Sequence, residues 1–328
     1  MHNIVIRGCL LLGSILCCLF VAEATLRLLN RFDPPPYPPI PRKVHLYKGH
    51  EIVGYTLWPS ARISYRYPPD NPRLRTVVSN SDGFRNDRDF DTPHAGLRIL
   101  VTGDSFVFGE GVGGNERLTD VLERLLPGSR VENLGMTGWG VDLMLRAARW
   151  ISPKVRPDVL IVCVYTDDLH RADPYYTGMG YPLPRFHLEN GRLVTRPYPE
   201  LSWIARTRLN QARVRLTWKY LGGEFRLNGA LLDAFVALSK VHGMELAIVF
   251  IPGRDDTPTD QRRRNWLSGW AKDNGVALLD LTEAIHSAGI ERMFIKNNWH
   301  WNPEGHRLAA EQILALLRRT GILARVEP

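Results

Sequence analysis

Short apolar runs alternate with longer amphipathic stretches from about residue 97 onward. The apolar runs predict buried parallel strands at 98–102, 130–134, 158–164, 244–251 and 276–280. The amphipathic stretches predict helices at about 115–126, 141–152, 227–241, 259–273 and 303–318. Asn115 is interpreted as the N-cap of the first of these helices. The alternation predicts an α/β fold with a doubly wound parallel sheet and right-handed crossovers.

The amino terminus has a different pattern, because Gly8 to Ala22 is uncharged and strongly apolar and follows Arg7. This stretch is short for a membrane span and typical of the apolar region of a signal. Ala22-Glu23-Ala24 fits a cleavage site, but leucines continue the helical pattern beyond it. We predict an uncleaved signal anchor over residues 1–31. A cleaved, secreted protein is the second interpretation, and a buried core helix is the third.

Two segments separate this anchor from the alternating region. Residues 32–44 contain DPPPYPPIP, which predicts a stiff Pro-rich linker. Residues 45–96 contain scattered aromatic residues and no long helical period. We therefore expect an amino-terminal extension of short strands and loops packed on the core, with a turn at Asp82-Gly83.

The remaining chain, residues 97–328, is predicted to be one domain with an insertion at about 171–225. Within the insertion, Asn190-Gly191 is a strong hairpin-turn signal. Leu201 to Leu221 is an arginine-rich helical stretch that could form a lid, a membrane-surface helix or a carbohydrate contact. An amphipathic helix packed on the core, with solvated arginines, explains this pattern most simply.

The composition of the 328-residue chain limits the possible partners. Hydrophobic residues make up 44%, which is ample for one large core. The formal net charge is +8, but the arginines are dispersed and no nucleic-acid motif is present, so we predict no nucleic-acid partner. Basic charge indicates an anionic surface nearby, such as phospholipid head groups or acidic polysaccharide. Of the four cysteines, only Cys163 lies outside the apolar amino terminus, so no disulfide in the domain is predicted.

A serine lies directly after the first predicted strand. Ile99-Leu100-Val101 is followed by Gly103-Asp104-Ser105, and functional side chains of α/β sheets are exposed at the carboxyl ends of strands. A strand, a serine turn and a helix can mount a nucleophile. Taken alone, Gly-Asp-Ser is also a common polar turn.

Four blocks in order resemble the SGNH (GDSL-type) hydrolase family over roughly Leu97 to Leu317. The blocks are GDSFVFGEGV (103–112), NLGMTG (133–138), VYTDDL (164–169) and HWNPEGH (300–306). SNSDGFRND, at 79–87, is similar to a structural lead-in of the membrane-anchored branch of that family. The resemblance implies a flavodoxin-like, three-layer α/β/α fold with a five-stranded parallel sheet. It also implies ester hydrolysis through an acyl-serine, without a metal or an organic cofactor.

The resemblance also implies the site residues. Ser105 would be the nucleophile and His300 its general base, and the backbone N–H groups of Ser105 and Gly138 would form an oxyanion hole. Asn302 as N-cap and Pro303 as first helical residue predict that His300 directly precedes a rigid helix.

The chain departs from the family pattern at two positions. Asp167 replaces an asparagine whose amide donates to the oxyanion, and an ionised carboxylate cannot donate. Asn297 and Asn298 occupy the positions where the family has an aspartate that orients the histidine. We hypothesise that Asp167 or Asp168 supplies the missing negative charge, with Asp255 and Asp256 as further candidates. The alternative is that both changes weaken catalysis.

These features predict a single-pass membrane esterase with its hydrolase domain on the periplasmic or extracellular side. The expected substrate is an acylated small molecule or an O-acylated glycan of the cell envelope. Trp139, Trp299 and Trp301 are candidates for stacking on a sugar, or for packing alone. An O-acyltransferase that uses the same serine and a catalytically weakened envelope binding protein are the alternatives.

Overall fold

The computed structural model describes residues 2–32, 34, 46–67, 74–173, 176, 178–181, 183–196, 203–220 and 222–326. The predicted Pro-rich linker, apart from residues 32 and 34, lies outside these described residues.

The amino-terminal region contains one long helix and two small antiparallel sheets. Helix α1 spans His2–Leu28. Strand β1 (Tyr47–His50) pairs with β2 (Gly54–Leu57), and β3 (Arg62–Arg66) pairs with β4 (Leu74–Val78). The predicted turn at Asp82-Gly83 is confirmed, and Gly83 has a φ of 78°.

Five parallel strands form the central sheet, in the order β6-β5-β7-β10-β11. The strands after β4 are β5 (Arg98–Gly103), β6 (Arg130–Gly135), β7 (Val159–Tyr165), β8 (Arg185–Glu189), β9 (Arg192–Arg196), β10 (Glu245–Ile251) and β11 (Ala277–Asp280). The five predicted core strands are confirmed. Their spatial order is the flavodoxin-like 2-1-3-4-5 arrangement, in which the chain reverses direction across the sheet beside its first strand. Strands β8 and β9 form a hairpin at the predicted Asn190-Gly191 turn.

Eleven helices follow α1 in the described residues. They are α2 (Ser105–Phe108), α3 (Leu118–Leu125), α4 (Val141–Val155), α5 (Asp168–Arg171), α6 (Arg208–Tyr220), α7 (Gly223–His242), α8 (Pro258–Asp273), α9 (Thr282–Ala288), α10 (Ile290–Met293), α11 (Pro303–Arg319) and α12 (Ile322–Val326). The predicted long helices correspond to α3, α4, α7, α8 and α11. The arginine-rich helix of the insertion begins at Arg208, later than predicted.

The N-cap assignment of Asn115 is wrong. Asn115 has a φ of 71°, in the left-handed region, whereas an N-cap residue has extended backbone. Helix α3 begins three residues later, and Arg117 at its N-cap makes no side-chain capping bond. Asn115 therefore belongs to the loop that follows α2.

The sheet is buried on both faces, which explains why its strands are continuous apolar runs. In β5, Leu100 packs with α4 and α7 on one face, whereas Ile99 and Val101 pack with α3 and α11 on the other. Alternate residues of β7 and β10 divide in the same way. The molecule is thus the expected three-layer α/β/α sandwich, with the carboxyl ends of β5, β6 and β7 adjacent at one edge.

The lead-in segment before β5 fixes the loop that follows Ser105. The buried guanidinium of Arg85 donates to the carbonyl oxygens of Phe108, Gly109 and Val112, at 2.6 to 3.0 Å. The Asn86 side chain bonds the backbone of Asn133 on β6 through both its amide atoms. This segment therefore ties the loop and the neighbouring strand to the amino-terminal extension.

Candidate active site

The chain places three candidate segments at one edge of the sheet. Ser105 follows β5, Gly138 follows β6, and Asp167 follows β7, and β5 lies between the other two strands. The gap between β5 and β7 is the point where the strand order reverses, and such a crevice is the usual ligand site of open α/β sheets.

Ser105 and His300 are in direct contact. The Ser105 Oγ lies 2.8 Å from His300 Nε2, although the two residues are 195 positions apart in the chain. Ser105 begins α2, and Asp104 caps that helix by accepting from the Phe106 N–H. His300 directly precedes the rigid start of α11, where the predicted Asn302 cap accepts from two backbone N–H groups.

The other ring nitrogen of His300 contacts Asn298 and Tyr67. Asn298 Oδ1 lies 3.0 Å from His300 Nδ1 and also accepts from the His300 backbone N–H at 3.0 Å. Because a backbone N–H can only donate, the Asn298 atom that faces His300 must be the oxygen. Nδ1 therefore carries the ring proton, which leaves Nε2 free to accept a proton from Ser105. The Tyr67 hydroxyl lies 2.9 Å from the same Nδ1.

The surroundings of His300 favour a neutral ring. Burial lowers the pKa of His300, and Arg171 lowers it further, whereas Glu110 and Asp104 raise it. A neutral imidazole at physiological pH is the form that a general base requires.

Two backbone N–H groups are available for an oxyanion. Within the described part of the chain, neither the Ser105 N–H nor the Gly138 N–H donates to another protein atom. Gly138 has a φ of 79°, which favours glycine. The Tyr55 hydroxyl donates to the Thr137 carbonyl at 2.6 Å, and the Tyr176 hydroxyl donates to the Gly138 carbonyl at 3.1 Å. These bonds orient the peptides on both sides of Gly138.

Asp167 and Asp168 have partners other than His300. The Asp167 side chain is 55% exposed and pairs with Arg263 at 2.9 Å. Asp168 is fully buried and pairs with Arg171 at 2.6 Å, and the same Arg171 nitrogen lies 2.8 Å from Asp104. Burial and the nearby Asp104 raise the pKa of Asp168, and Arg171 opposes this rise. The structure thus brings neither residue to Nδ1 of His300.

The further candidates also lie elsewhere. Asp256 pairs with Arg264 at 2.8 Å, and Asp255 lines a cleft beside the site. The cleft has a volume of about 460 Å³, and Asp167 and Trp299 also line it. Trp299 is 60% exposed.

The other two tryptophans are packing residues. Trp139 and Trp301 are fully buried, so neither can stack on a sugar. Trp301 packs edge-on against Phe106, whose ring also lies beside His300.

Sequence reasoning missed three residues around the site. Tyr67 lies in the amino-terminal extension, 233 positions before His300. Arg171 lies on α5 and bridges two buried carboxylates. Glu110 lies within the GDSFVFGEGV block, but no local pattern distinguishes it from a solvated loop residue. Its position within the block that resembles the first family block was the one available signal.

A family model described as "GDSL-like Lipase/Acylhydrolase family" matches residues 101–308. The curated proteins compared with this chain gave no match.

Solved structures of low similarity were also found. The structure of TesA is 13% identical with a TM-score of 0.46, over 68% of this chain and 99% of that chain. A putative lipolytic protein of the G-D-S-L family from Desulfitobacterium hafniense DCB-2 is 16% identical with a TM-score of 0.45, over 67% and 99%. The psychrotrophic esterase EstA from Pseudoalteromonas sp. is 12% identical with a TM-score of 0.44, over 68% and 97%. These values are too low to transfer a substrate.

Proposed function

Because the chain belongs to the GDSL-like lipase/acylhydrolase family and is a hydrolase that acts on esters, we propose that it is a membrane-anchored serine esterase. Ser105 is the nucleophile and His300 the general base. The observation that carries this proposal is the 2.8 Å contact between Ser105 Oγ and His300 Nε2, with the ring proton held on Nδ1 by Asn298.

In the proposed reaction, His300 Nε2 takes the proton from Ser105 Oγ as that oxygen attacks the ester carbonyl. The N–H groups of Ser105 and Gly138 stabilise the oxyanion. The imidazolium then gives its proton to the leaving alcohol, and the acyl group remains on Ser105. Water, deprotonated by the same His300, releases the acid.

Replacement of the nucleophile tests this assignment. We expect Ser105→Ala to abolish hydrolysis of p-nitrophenyl acetate and labelling by a fluorophosphonate, because only the hydroxyl can form the covalent bond. The fold should be retained, since Asp104 caps α2 through the Phe106 N–H and not through the serine. Hydrolysis near the wild-type rate by this variant would rule out Ser105. A wild-type protein that neither reacts with the phosphonate nor cleaves esters would instead be a binding protein.

Membrane attachment is supported by α1 and its contacts. Ile4–Leu28 is long and apolar enough to cross a membrane, although a signal sequence has the same properties. The Glu23 carboxylate accepts from the backbone N–H groups of Arg208 and Leu209 at the start of α6. Cleavage after Ala24 would remove this cap, so the contact favours a retained helix.

The surface beside this contact fits a membrane interface. Trp203 and Ile204, just before α6, are 78% and 54% exposed. Tryptophan is enriched where protein meets the lipid head groups, and arginines of α6 can pair with anionic lipid. We expect the mature chain to begin near Met1 and to remain with membranes after a carbonate wash. A mature amino terminus at Thr25 would show a secreted protein.

The proposed location and the cleft support a proposal for the substrate class. We propose an O-acylated glycan of the cell envelope, reached from the periplasmic or extracellular side. The exposed Trp299 is next to His300 and lines the cleft, so it can stack on a sugar ring. Release of acetate from acetylated polysaccharide should fall for Trp299→Ala, while turnover of p-nitrophenyl acetate should not.

A transferase is the second candidate, because the cleft lined by Asp167 and Trp299 offers about 460 Å³ for an acceptor alcohol. Product analysis with an acyl ester and a free oligosaccharide distinguishes the two activities. Acylated oligosaccharide would indicate transfer, whereas free acid alone would indicate hydrolysis.

A further inference from the structure

The imidazolium formed during catalysis has no carboxylate at its Nδ1 side. A serine-hydrolase triad normally places an aspartate there, which stabilises the positive ring. Asn298 occupies that place and is neutral. A negative charge that stabilises the ring must therefore come from another residue.

Tyr67 is the second group on Nδ1 and directly follows β3. Its ring packs edge-on to the His300 ring, with centroids 5.4 Å apart. The ring also lies against Gly111, where a Cβ would come within 3.1 Å of Tyr67 Cδ1. Glycine at 111 therefore lets the Tyr67 ring pack closely against this loop while its hydroxyl meets His300.

Glu110 precedes this glycine and is almost fully buried. The Tyr65 hydroxyl donates to Glu110 Oε1 at 3.0 Å, and the Thr137 hydroxyl donates to Oε2 at 2.6 Å. Both oxygens thus accept hydrogen bonds, as an ionised carboxylate does. Among the described lysines and arginines, none forms an ion pair with Glu110.

The position of Glu110 links the parts of the site. Tyr65 and Tyr67 are two residues apart at the end of β3. Thr137 directly precedes the oxyanion glycine Gly138. Arg85 fixes the Glu110 loop through the carbonyl groups of residues 108, 109 and 112. The Glu110 carboxylate is therefore held between Tyr65, two residues before Tyr67, and Thr137, which precedes the proposed oxyanion donor Gly138.

Among the charges around His300, Glu110 forms no ion pair in the described residues, although the buried Arg85 guanidinium attracts it while bonding to backbone carbonyls of the same loop. Asp104 also attracts a positive ring, but Arg171 bonds to Asp104 and repels the ring. The fully buried His306 also lies near enough to His300 to interact with it. Around Glu110 itself, the titratable or charged groups are Tyr47, Tyr65, Tyr67, Arg85 and His300.

We propose that Tyr67 and Glu110 together replace the absent aspartate. Tyr67 is a positioning residue that holds the ring at Nδ1, and the charge of the buried Glu110 carboxylate, on the loop against which the Tyr67 ring packs, stabilises the imidazolium. This inference rests on the proposed function, since it concerns how His300 works as the base.

The first test removes the charge and keeps the shape. Glu110→Gln should lower kcat for p-nitrophenyl acetate about tenfold to a hundredfold, with little change in KM, because charge stabilisation is needed only in the transition state. The acidic limb of the kcat/KM profile should move to lower pH, because loss of a nearby negative charge disfavours the protonated ring. Glu110→Asp keeps the charge and should recover part of kcat.

The second test concerns the tyrosine. Tyr67→Phe should lower kcat about three- to tenfold, the usual effect of one hydrogen bond, without changing KM. Tyr181→Phe is the matched control, since the Tyr181 hydroxyl donates to the Tyr47 carbonyl and does not contact His300. It should leave kcat unchanged. Equal effects of the two variants would overturn the role of Tyr67.

Outcomes for Glu110 are separable from those for the proposed function. A folded Glu110→Gln variant with wild-type kcat and an unmoved acidic limb overturns the inference while the esterase assignment stands. A wild-type protein without esterase activity and without phosphonate labelling would refute the proposed esterase function. If Glu110→Gln does not fold, Asn298→Asp decides. If this variant gains less than tenfold in kcat, a negative charge already stabilises the imidazolium. A gain of a hundredfold or more would show that no such charge acts on the ring.

Discussion

Arg171 provides the sharpest test of the site's electrostatics. Its Nη1 lies 2.8 Å from Asp104 and 2.6 Å from Asp168, and both carboxylates are fully buried while the Arg171 side chain is 17% exposed. Each pair is worth about 4 kcal/mol of attraction at an effective dielectric constant of about 20. Replacing Arg171 with methionine keeps the aliphatic stem and leaves both carboxylates without their cation.

We expect Arg171→Met to lower the free energy of unfolding by about 3–5 kcal/mol at pH 8, the usual cost of breaking a buried pair from one side. The loss should shrink on acidification. The pKa of Asp168 is already raised by burial, and without Arg171 it rises further. A carboxyl that binds a proton more tightly in the folded state than in the unfolded state loses stability as the pH rises, at about 1.4 kcal/mol per pH unit.

Urea unfolding followed by tryptophan fluorescence at pH 5 and pH 8 measures both effects. Arg196→Met is the control, because Arg196 pairs with Glu189 on the surface, with side chains 55% and 43% exposed. It should change stability by less than about 1 kcal/mol. A loss below about 1 kcal/mol for Arg171→Met at pH 8, or a loss that grows toward pH 5, would refute the reasoning.

Three further predictions follow from single side chains. Burial lowers the pKa of His306 to about 3. Below about pH 6.5 the unfolded chain therefore binds a proton at this histidine, whereas the folded chain does not. In urea titrations, His306→Gln should reduce the loss of stability between pH 6.5 and pH 5 by about 2 kcal/mol. Asp167→Asn should raise kcat about tenfold or more by restoring an oxyanion donor. Stability should change little, because Asp167 is half exposed and the buried Arg263 keeps its ion pair with Glu224; a fall in kcat would show that the carboxylate itself is needed. Gly138→Ala should lower kcat while leaving KM unchanged, because alanine strains a φ of 79° and its Cβ would come within 3.2 Å of the Tyr55 hydroxyl; a wild-type kcat would argue against Gly138 as an oxyanion donor.

The strands and long helices could be predicted because each leaves a local pattern. A strand buried on both faces, such as β7, must be apolar at consecutive positions, and the α11 start is marked by Asn302 and Pro303. Asn115 shows the limit of such signals, because a capping residue type also suits a left-handed loop position.

The candidate site could be predicted only in part. Ser105 and His300 lie in blocks that resemble family motifs, and the structure places them in contact. The partners of His300 could not be inferred, because Tyr67 reaches the ring from a segment without a distinguishing pattern. The hypothesis that Asp167 or Asp168 supplies the negative charge missing beside His300 rested on the two blocks meeting at the carboxyl edge of the sheet. Arg263 and Arg171, which the sequence analysis did not consider, bind these carboxylates instead.

The contact between Tyr67 and His300 limits where the chain can be cut without removing part of the site. The family match begins at residue 101, and a parallel-sheet module cut at residue 97 would contain Ser105, Gly138 and His300. It would nevertheless lack Tyr67, whose hydroxyl contacts His300, and Tyr65, whose hydroxyl donates to Glu110. Transplanting that module would therefore carry the proposed nucleophile and leave part of the proposed catalytic environment behind. Gene fusions and exchanges that keep such a site working must move residues 46–96 together with the sheet.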